Sequence, residues 1–168
     1  MALETAPAST QSDGKWRITT VPFGSNAKSV AILNGATAKA ITYGLTADGW
    51  AYSKTQATVE DKRLTLVANL ARPGKTTESW EVKCVESTVA DTADAVLSAL
   101  ALSGATIQIL VRRGVDNATT HTVGQIADLH TVVVGTRRPQ APVENGVDVV
   151  AYTLYPVLPS ESGIALVA

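Results

Sequence analysis

The chain has few of the side chains that perform chemistry. Its 168 residues include one cysteine, Cys84, and two histidines, His121 and His130. A single cysteine excludes a disulfide within the chain, and neither histidine has thiolates or carboxylates at the spacing of a zinc site. No pattern of nucleophile, base and orienting group is visible either. We therefore expect no catalytic residue, no cofactor and no metal, and we predict that the protein is not an enzyme.

Net charge and long apolar runs are also scarce. The formal net charge is −1, so the chain has no overall basic surface of the kind that holds nucleic acid. No run approaches the roughly 20 apolar residues that cross a bilayer. The first residues lack the basic region that precedes the apolar core of a signal peptide. The sequence thus predicts a protein that folds in the cytoplasm and does not enter a membrane.

Alternating apolar and polar residues predict β-strands over most of the chain. Asn34-Gly35, which follows a short apolar run, predicts a type I′ hairpin. Arg72-Pro73-Gly74-Lys75 predicts the turn of a second hairpin, because proline cannot donate to a ladder and glycine permits turn dihedrals. The predicted strands cover residues 15–21, 63–70, 79–86, 105–112, 130–136 and 147–155.

One segment, residues 91–102, predicts a helix. Asp91 is a favoured N-cap residue, and Gly104 suits the left-handed conformation that ends a helix. Val96, Leu97 and Leu100 form an apolar stripe at helical spacing, which predicts that the helix packs on a sheet. The fold class is therefore mainly β (α+β), with two packed antiparallel sheets that form a sandwich or barrel and one flanking helix.

Two segments predict contact with another molecule. Residues 44–61 look like a long loop, yet they carry Trp50 and Tyr52 and follow Tyr43, and aromatic residues favour interfaces over disorder. The C-terminus ends in the aliphatic residues Ile164, Leu166 and Val167, which would promote aggregation if they were left free. We expect residues 157–168 to leave the sheet at Pro156 and Pro159 as an arm. Residues 1–14 form a second, polar arm, and residues 15–156 form the domain between them.

Two basic pairs, Arg112-Arg113 and Arg137-Arg138, allow two interpretations. They are either solvated strand ends or contacts to acidic groups of a neighbouring subunit, since arginine suits bidentate pairing with carboxylates. We favour the second interpretation.

In order and texture the chain resembles the major tail tube proteins of long, non-contractile-tailed phages, particularly those that infect actinobacteria. The resemblance lies in a polar N-terminal arm, a long loop around Asp48-Gly49-Trp50 and the helix at 91–102. It continues in the strand Ile107-Gln108-Ile109-Leu110-Val111-Arg112, the turn Gly135-Thr136-Arg137-Arg138-Pro139 and the closing strand at 148–155.

This resemblance implies that six subunits join their sheets into a ring with an inner β-barrel, and that rings stack into a tube that conducts DNA without sequence-specific binding. It also implies that the long loop and the termini, with Asp48 among the contact residues, lie between rings. The expected partners are further copies of the chain and the tape measure, tail terminator and tail tip proteins. The expected location is the virion tail, assembled in the host cytoplasm.

An alternative is a β-sandwich module that binds carbohydrate or acts as an adhesin, with Trp50 as its exposed aromatic residue. Another virion protein, such as a tail terminator or a capsid decoration protein, would have a similarly β-rich sequence.

Overall fold

The computed structural model describes residues 12–61, 70–144 and 146–168. Within them the chain forms ten elements, together with a 3-10 helix at Thr42–Gly44. In chain order these are β1 (Trp16–Pro22), α1 (Val30–Leu33), β2 (Lys39–Ala40), β3 (Leu45–Asp61), β4 (Leu70–Val85), α2 (Ala93–Ser103), β5 (Thr106–Arg113), β6 (Ile126–Val134), β7 (Arg138–Pro139) and β8 (Val149–Ala165).

The prediction of a mainly β fold with one principal helix is confirmed. All strand pairs are antiparallel, and hydrogen bonds join the strands in one sheet of order β2-β1-β5-β6-β8-β4-β3, with β7 paired to β8. The sequence had suggested two separate sheets. The structure has a single sheet instead. This sheet is curved, so β1 and β4, which are four strands apart in its order, contribute side chains to the same core.

The main core fills the inside of this curved sheet. Its buried side chains come from the strands β1, β4, β5, β6 and β8 and from the helix α2. Examples are Ile18, Val82, Leu97, Ile109 and Tyr152. Leu97 is fully buried, and Val96 and Leu100 pack against the same cluster from partly buried positions. The apolar stripe of α2 therefore faces the core of its own subunit.

A second core lies on the opposite face of the central strands. Val21, Leu110 and Leu129 point into it, and Leu33 and Leu166 cover it from outside the sheet. Successive residues of a strand face opposite sides, so Ile109 enters the main core while Leu110 enters the second. The strands β5 and β6 are consequently buried on both faces.

The helix α2 starts later than predicted. Thr92 is the N-cap residue, whereas Asp91 lies outside the helix with φ of 65° and pairs its carboxylate with Lys39 at 2.9 Å. The predicted end is observed, since Gly104 has φ of 62° and its N–H donates to the carbonyl of Leu100.

The predicted hairpin at Asn34-Gly35 is wrong. Residues 30–33 form the short helix α1, because Leu33 is needed to cover the second core. The side chain of Asn34 bonds the backbone of His121 and does not form a hairpin turn. Its side-chain amide donates to the carbonyl of His121 at 2.9 Å and accepts the His121 N–H at 3.1 Å, which fixes a distant loop.

The segment predicted as a long loop is instead the 17-residue strand β3. It pairs with β4, so the predicted turn at Arg72-Pro73-Gly74-Lys75 and the hairpin over residues 63–86 are also wrong. Pro73 and Gly74 sit inside β4, beside a register shift between Gln56 and Thr58. Proline and glycine are tolerated at such bulges. The predicted strand at 63–70 lies almost entirely outside the described residues.

The predicted departure of the C-terminal segment from the sheet is wrong as well. Strand β8 pairs with β4 over residues 149–154 and continues along β6 as far as Ala165. After it, Val167 forms a parallel bridge to Ser29. Pro156 and Pro159 fit because the pairing with β6 is irregular there, with register shifts around Leu129 and Thr131.

Candidate assembly surfaces

The first candidate surface is the open edge formed by β3. This strand ends the sheet, and within the described part of the chain its outer edge has no paired strand. A strand edge presents unpaired N–H and C=O groups that form a template for another chain. At 17 residues β3 is far longer than the edge strand at the other end of the sheet, β2, which has two residues.

The outer half of the β3–β4 hairpin is the second candidate surface. Residues 51–60 of β3 are all exposed, and so are most residues from 71 to 79 of β4. Strand β8 leaves β4 after the pair Trp80–Leu154, so beyond this point β3 and β4 are a ribbon of two strands. A ribbon of two strands is at best marginally stable in water unless something packs on it.

The base of this ribbon is held by an aromatic cluster around His130. The ring of Tyr52 stacks on Trp80 at 5.1 Å, and the ring of His130 lies 5.3 Å from each of them and 6.1 Å from Trp50. His130 is 3% exposed, and burial lowers its pKa. The imidazole is therefore a neutral part of the core near neutral pH.

A chain of polar contacts extends from His130 to the surface. The hydroxyl of Ser160 donates to Glu78 Oε2 at 2.5 Å and lies 2.8 Å from His130 Nδ1, and Lys54 Nζ lies 2.8 Å from Glu78 Oε1. Burial alone would raise the pKa of Glu78, but the hydrogen bonds from Lys54 and Ser160 hold it below its usual value. These contacts tie β3 and β4 to the outer half of β8. Sequence reasoning missed them because Glu78 and Ser160 have no distinctive spacing.

The predicted contact residues of the first aromatic segment differ in exposure. Tyr43 is 84% exposed. Tyr52 is partly exposed, while Trp50 is half-buried against the main core and is not the free aromatic platform that a sugar-binding site needs. Asp48 accepts hydrogen bonds from Lys83 at 2.7 Å and from Thr46 at 2.8 Å, and these lower its pKa.

The four arginines differ in their positions. Arg112 is completely buried, where its guanidinium donates to the carbonyls of Asp116 and Thr120 and to Gln125 Oε1. It anchors a loop and cannot contact a neighbour, so its predicted interface role is wrong. Arg113 is exposed, pairs with Asp128 and lies over the ring of Trp16.

Arg137 points into its own subunit. It forms a bidentate pair with Asp94 at 2.9 and 3.2 Å and bonds Glu86 at 2.9 Å, and these contacts raise its pKa. Tyr152 donates to the same Asp94 carboxylate at 2.5 Å. Arg138, in contrast, is half exposed, lies 3.4 Å from Glu81 and donates to the hydroxyl of Thr153 at 2.8 Å.

The three C-terminal aliphatic residues also differ in exposure. Leu166 is 1% exposed inside the second core, so it is not available to a partner. Ile164 is partly buried against the same cluster, and Val167 is 46% exposed. Of the predicted tail contacts, Val167 is the one that remains on the surface.

The described residues contain no group of three potential metal ligands. In the same ranges, no helix is long and apolar enough to cross a bilayer. Cys84 is buried in the main core, and burial raises the pKa of its thiol to about 12. A thiol with this pKa is inert as a nucleophile at neutral pH.

Comparison with known proteins agrees with this architecture. A search of curated protein sequences gives no match. Among solved structures, a chain of the anti-feeding prophage (AFP) baseplate matches with a TM-score of 0.62 and 10% identity, over 94% of this chain and 96% of that one. The SPP1 tail tube protein matches with a TM-score of 0.57 and 13% identity, over 90% of this chain and 78% of that one. At these identities the likeness shows a shared fold.

The family comparison extends over almost the whole sequence. The family model described as "Phage tail tube protein" matches residues 3–168. It therefore includes the long hairpin, the helix α2 and the C-terminal strand, and the chain belongs to the phage tail tube protein family, whose role is structural.

Proposed function

We propose that this chain assembles into six-membered rings, that the rings stack into the tube of a phage tail, and that DNA passes through the tube during ejection. The observation that carries the proposal is the hairpin of β3 and β4. It supplies a 17-residue open edge and a largely exposed ribbon of two strands.

The inner part of the edge suits pairing within a ring. Where β3 still lies beside the full sheet, around Trp50 and Tyr52, a strand of the adjacent subunit can add to it and extend the sheet. Repeating this contact around a closed ring removes every open edge. The SPP1 protein is described as forming a tail tube, and the AFP baseplate as 6-fold symmetrised, which supports such a ring here.

The outer part of the hairpin suits contact between rings. Most of its described side chains are exposed, so they are available to pack against another subunit. Tyr43, Asp48, Arg113, Arg138 and Val167 are the remaining exposed or half-exposed candidates for subunit contacts. The tube would be built in the host cytoplasm and meet tape measure, terminator and tip proteins along its length and at its ends.

The proposal can be tested by shortening the hairpin. Gln56 and Thr76 are directly paired, so a two-residue Asn-Gly turn in place of residues 57–75 closes the ribbon at a natural register. The described residues of the removed part, 57–61 and 70–75, belong to neither core cluster, so the variant should keep the melting temperature of the parent. Negative-stain microscopy should show tubes with a regular axial repeat for the parent chain, and rings or single subunits for the variant.

A matched control is Leu102→Ser, which changes an exposed residue at the end of α2. It should form tubes like those of the parent. The proposal is wrong if the parent remains monomeric at high concentration, or if the shortened variant forms tubes as readily as the parent does.

A further inference from the structure

Two arginines lie side by side at one end of the second core. Arg17 of β1 and Arg112 of β5 are directly paired across the strands, so their side chains share a face, with Cβ atoms roughly 5 Å apart. Arg112 is completely buried and Arg17 is half-buried. On the same face of β1, the hydroxyl of Thr19 lies 3.1 Å from Nε2 of the buried His121. Arg17, Arg112 and His121 are called the basic cluster below.

The loop between β5 and β6, residues 114–125, covers the basic cluster with neutral oxygen atoms. The two guanidinium groups donate at 2.7 to 3.1 Å to four of its backbone carbonyls, those of Asp116, Asn117, Thr119 and Thr120. Arg112 also donates to the side-chain amide oxygen of Gln125 at 3.1 Å. These acceptors satisfy hydrogen bonds of the arginines, but none of them carries a negative charge that would neutralise a guanidinium.

The basic cluster lacks a carboxylate partner in the part of the chain that the structure describes. Arg113 and Arg137 each form an ion pair with a carboxylate, whereas Arg17 and Arg112 form none. The carboxylate of Asp116 is exposed and accepts a backbone N–H of its own loop. Burial and the charge of Arg17 lower the pKa of Arg112, against a smaller opposing effect of Asp116. A buried charge without a partner of opposite sign is costly, so the cluster favours an anion.

Three nitrogen atoms of the basic cluster are buried and have no hydrogen-bond partner among the described residues. They are Nε of Arg17, Nε of Arg112 and Nδ1 of His121. Each can donate a hydrogen bond, the imidazole in the tautomer with hydrogen on Nδ1, while the Thr19 hydroxyl donates to Nε2. Buried donors normally have a partner, so three of them in one cluster indicate a bound acceptor. Because these atoms are inaccessible from outside the subunit, that acceptor is a small molecule or ion and not a side chain of another protein.

We propose that the basic cluster binds a small inorganic anion of the size of chloride, which accepts hydrogen bonds from Arg17, Arg112 and His121. The anion supplies the negative charge that the cluster lacks and holds the loop at residues 114–125 over the second core. A water molecule would satisfy the same donors but would leave the two guanidinium charges without a counter-ion. The site lies inside one subunit, so it is independent of the surfaces proposed for assembly.

The dependence of stability on chloride tests the proposal on dispersed subunits. Sodium chloride would replace sodium gluconate at constant ionic strength and near neutral pH, so that screening is unchanged while a small anion replaces one too large for the site. At a chloride concentration ten times the dissociation constant, the equilibrium constant for unfolding in urea should be about tenfold lower than in gluconate. Equal stability in the two salts overturns the proposal, and it is the result expected if water occupies the site.

Two variants and a crystal locate the effect. Arg17→Gln removes one donor and one charge from the basic cluster but leaves Arg112 to anchor the loop, so it should abolish the chloride dependence. Arg113→Gln removes the same charge from the adjacent exposed position and should respond to chloride as the parent does. The proposal is overturned if Arg17→Gln keeps the chloride dependence or if Arg113→Gln loses it.

The last measurement needs no variant. Crystals of the parent chain grown with bromide should show an anomalous scattering peak at hydrogen-bond distance from the Nε atoms of Arg17 and Arg112. Crystals without a peak at this position overturn the proposal.

Discussion

Replacing Asp94 by alanine should strongly destabilise the subunit. Its carboxylate is 5% exposed and accepts from Arg137, from the hydroxyl of Tyr152 and from the backbone N–H of Ser87 at 3.1 Å. Burial alone would raise the pKa of Asp94, but the hydrogen bonds of Arg137 and Tyr152 hold it below its usual value. The native state therefore contains the ionised carboxylate.

The magnitude follows from what the substitution leaves behind. The fully buried Tyr152 hydroxyl would keep only a contact of 3.5 Å to the Asp94 carbonyl, and the partly buried Ser87 N–H would lose its acceptor. Each group left without a good partner costs about 1–3 kcal/mol. Arg137 is 33% exposed and keeps Glu86, so its loss adds little, at most about 1 kcal/mol. The expected decrease in the free energy of unfolding is thus about 2–7 kcal/mol.

The assay is equilibrium denaturation in urea, followed by circular dichroism on protein that sedimentation shows to be dispersed. Adding Tyr152→Phe to Asp94→Ala should restore roughly 1–2 kcal/mol, because it removes one of the groups left without a partner. A loss below about 1 kcal/mol for Asp94→Ala would refute the reasoning.

Three further predictions concern the cores and the tail. Leu97→Ala should lower the free energy of unfolding by about 2–5 kcal/mol in the same assay, because the side chain is fully buried; a loss near zero would contradict its place in the core. Stability should fall by roughly 3 kcal/mol as pH drops from 6.5 to about 4, because burial lowers the pKa of His121 to about 4 and the unfolded chain then binds the extra proton; a His121→Asn variant that shows the same fall would contradict this assignment. Deleting residues 160–168 should lower the melting temperature of the dispersed subunit, because Leu166 alone contributes roughly 1.5–3 kcal/mol of burial; an unchanged melting temperature would mean that the segment is dispensable for the fold.

The strands that sequence predicts well are those with one buried face. Trp80, Val82 and Cys84 enter the main core while Glu81 and Lys83 remain half-exposed, so the pattern of β4 has the expected period of two. Sequence reasoning fails on the outer part of β3, because both of its faces are exposed and no alternation is required there. The same property that hides this strand from sequence analysis makes it a candidate for assembly.

The predictions are also wrong for a buried arginine and for a proline inside a strand. A charged residue is normally expected on the surface, but Arg112 is buried, where loop carbonyls and Gln125 accept hydrogen bonds from its two terminal guanidinium nitrogens. Proline normally argues against a strand, but Pro156 lies in β8 where the ladder to β6 is irregular. Both outcomes depend on tertiary contacts between distant parts of the chain, which local patterns do not contain.

The two cores on either side of β5 and β6 have a consequence for the order in which the molecule opens. Amide hydrogens in these strands are shielded from both sides, so they should exchange with solvent only on global unfolding. The outer hairpin has no such cover and should exchange through frequent local opening. The subunit therefore combines central strands that open rarely with an outer hairpin that opens often. In the proposed tube, this division would let the subunit complete its own folding first and adjust its outer hairpin to each neighbour afterwards.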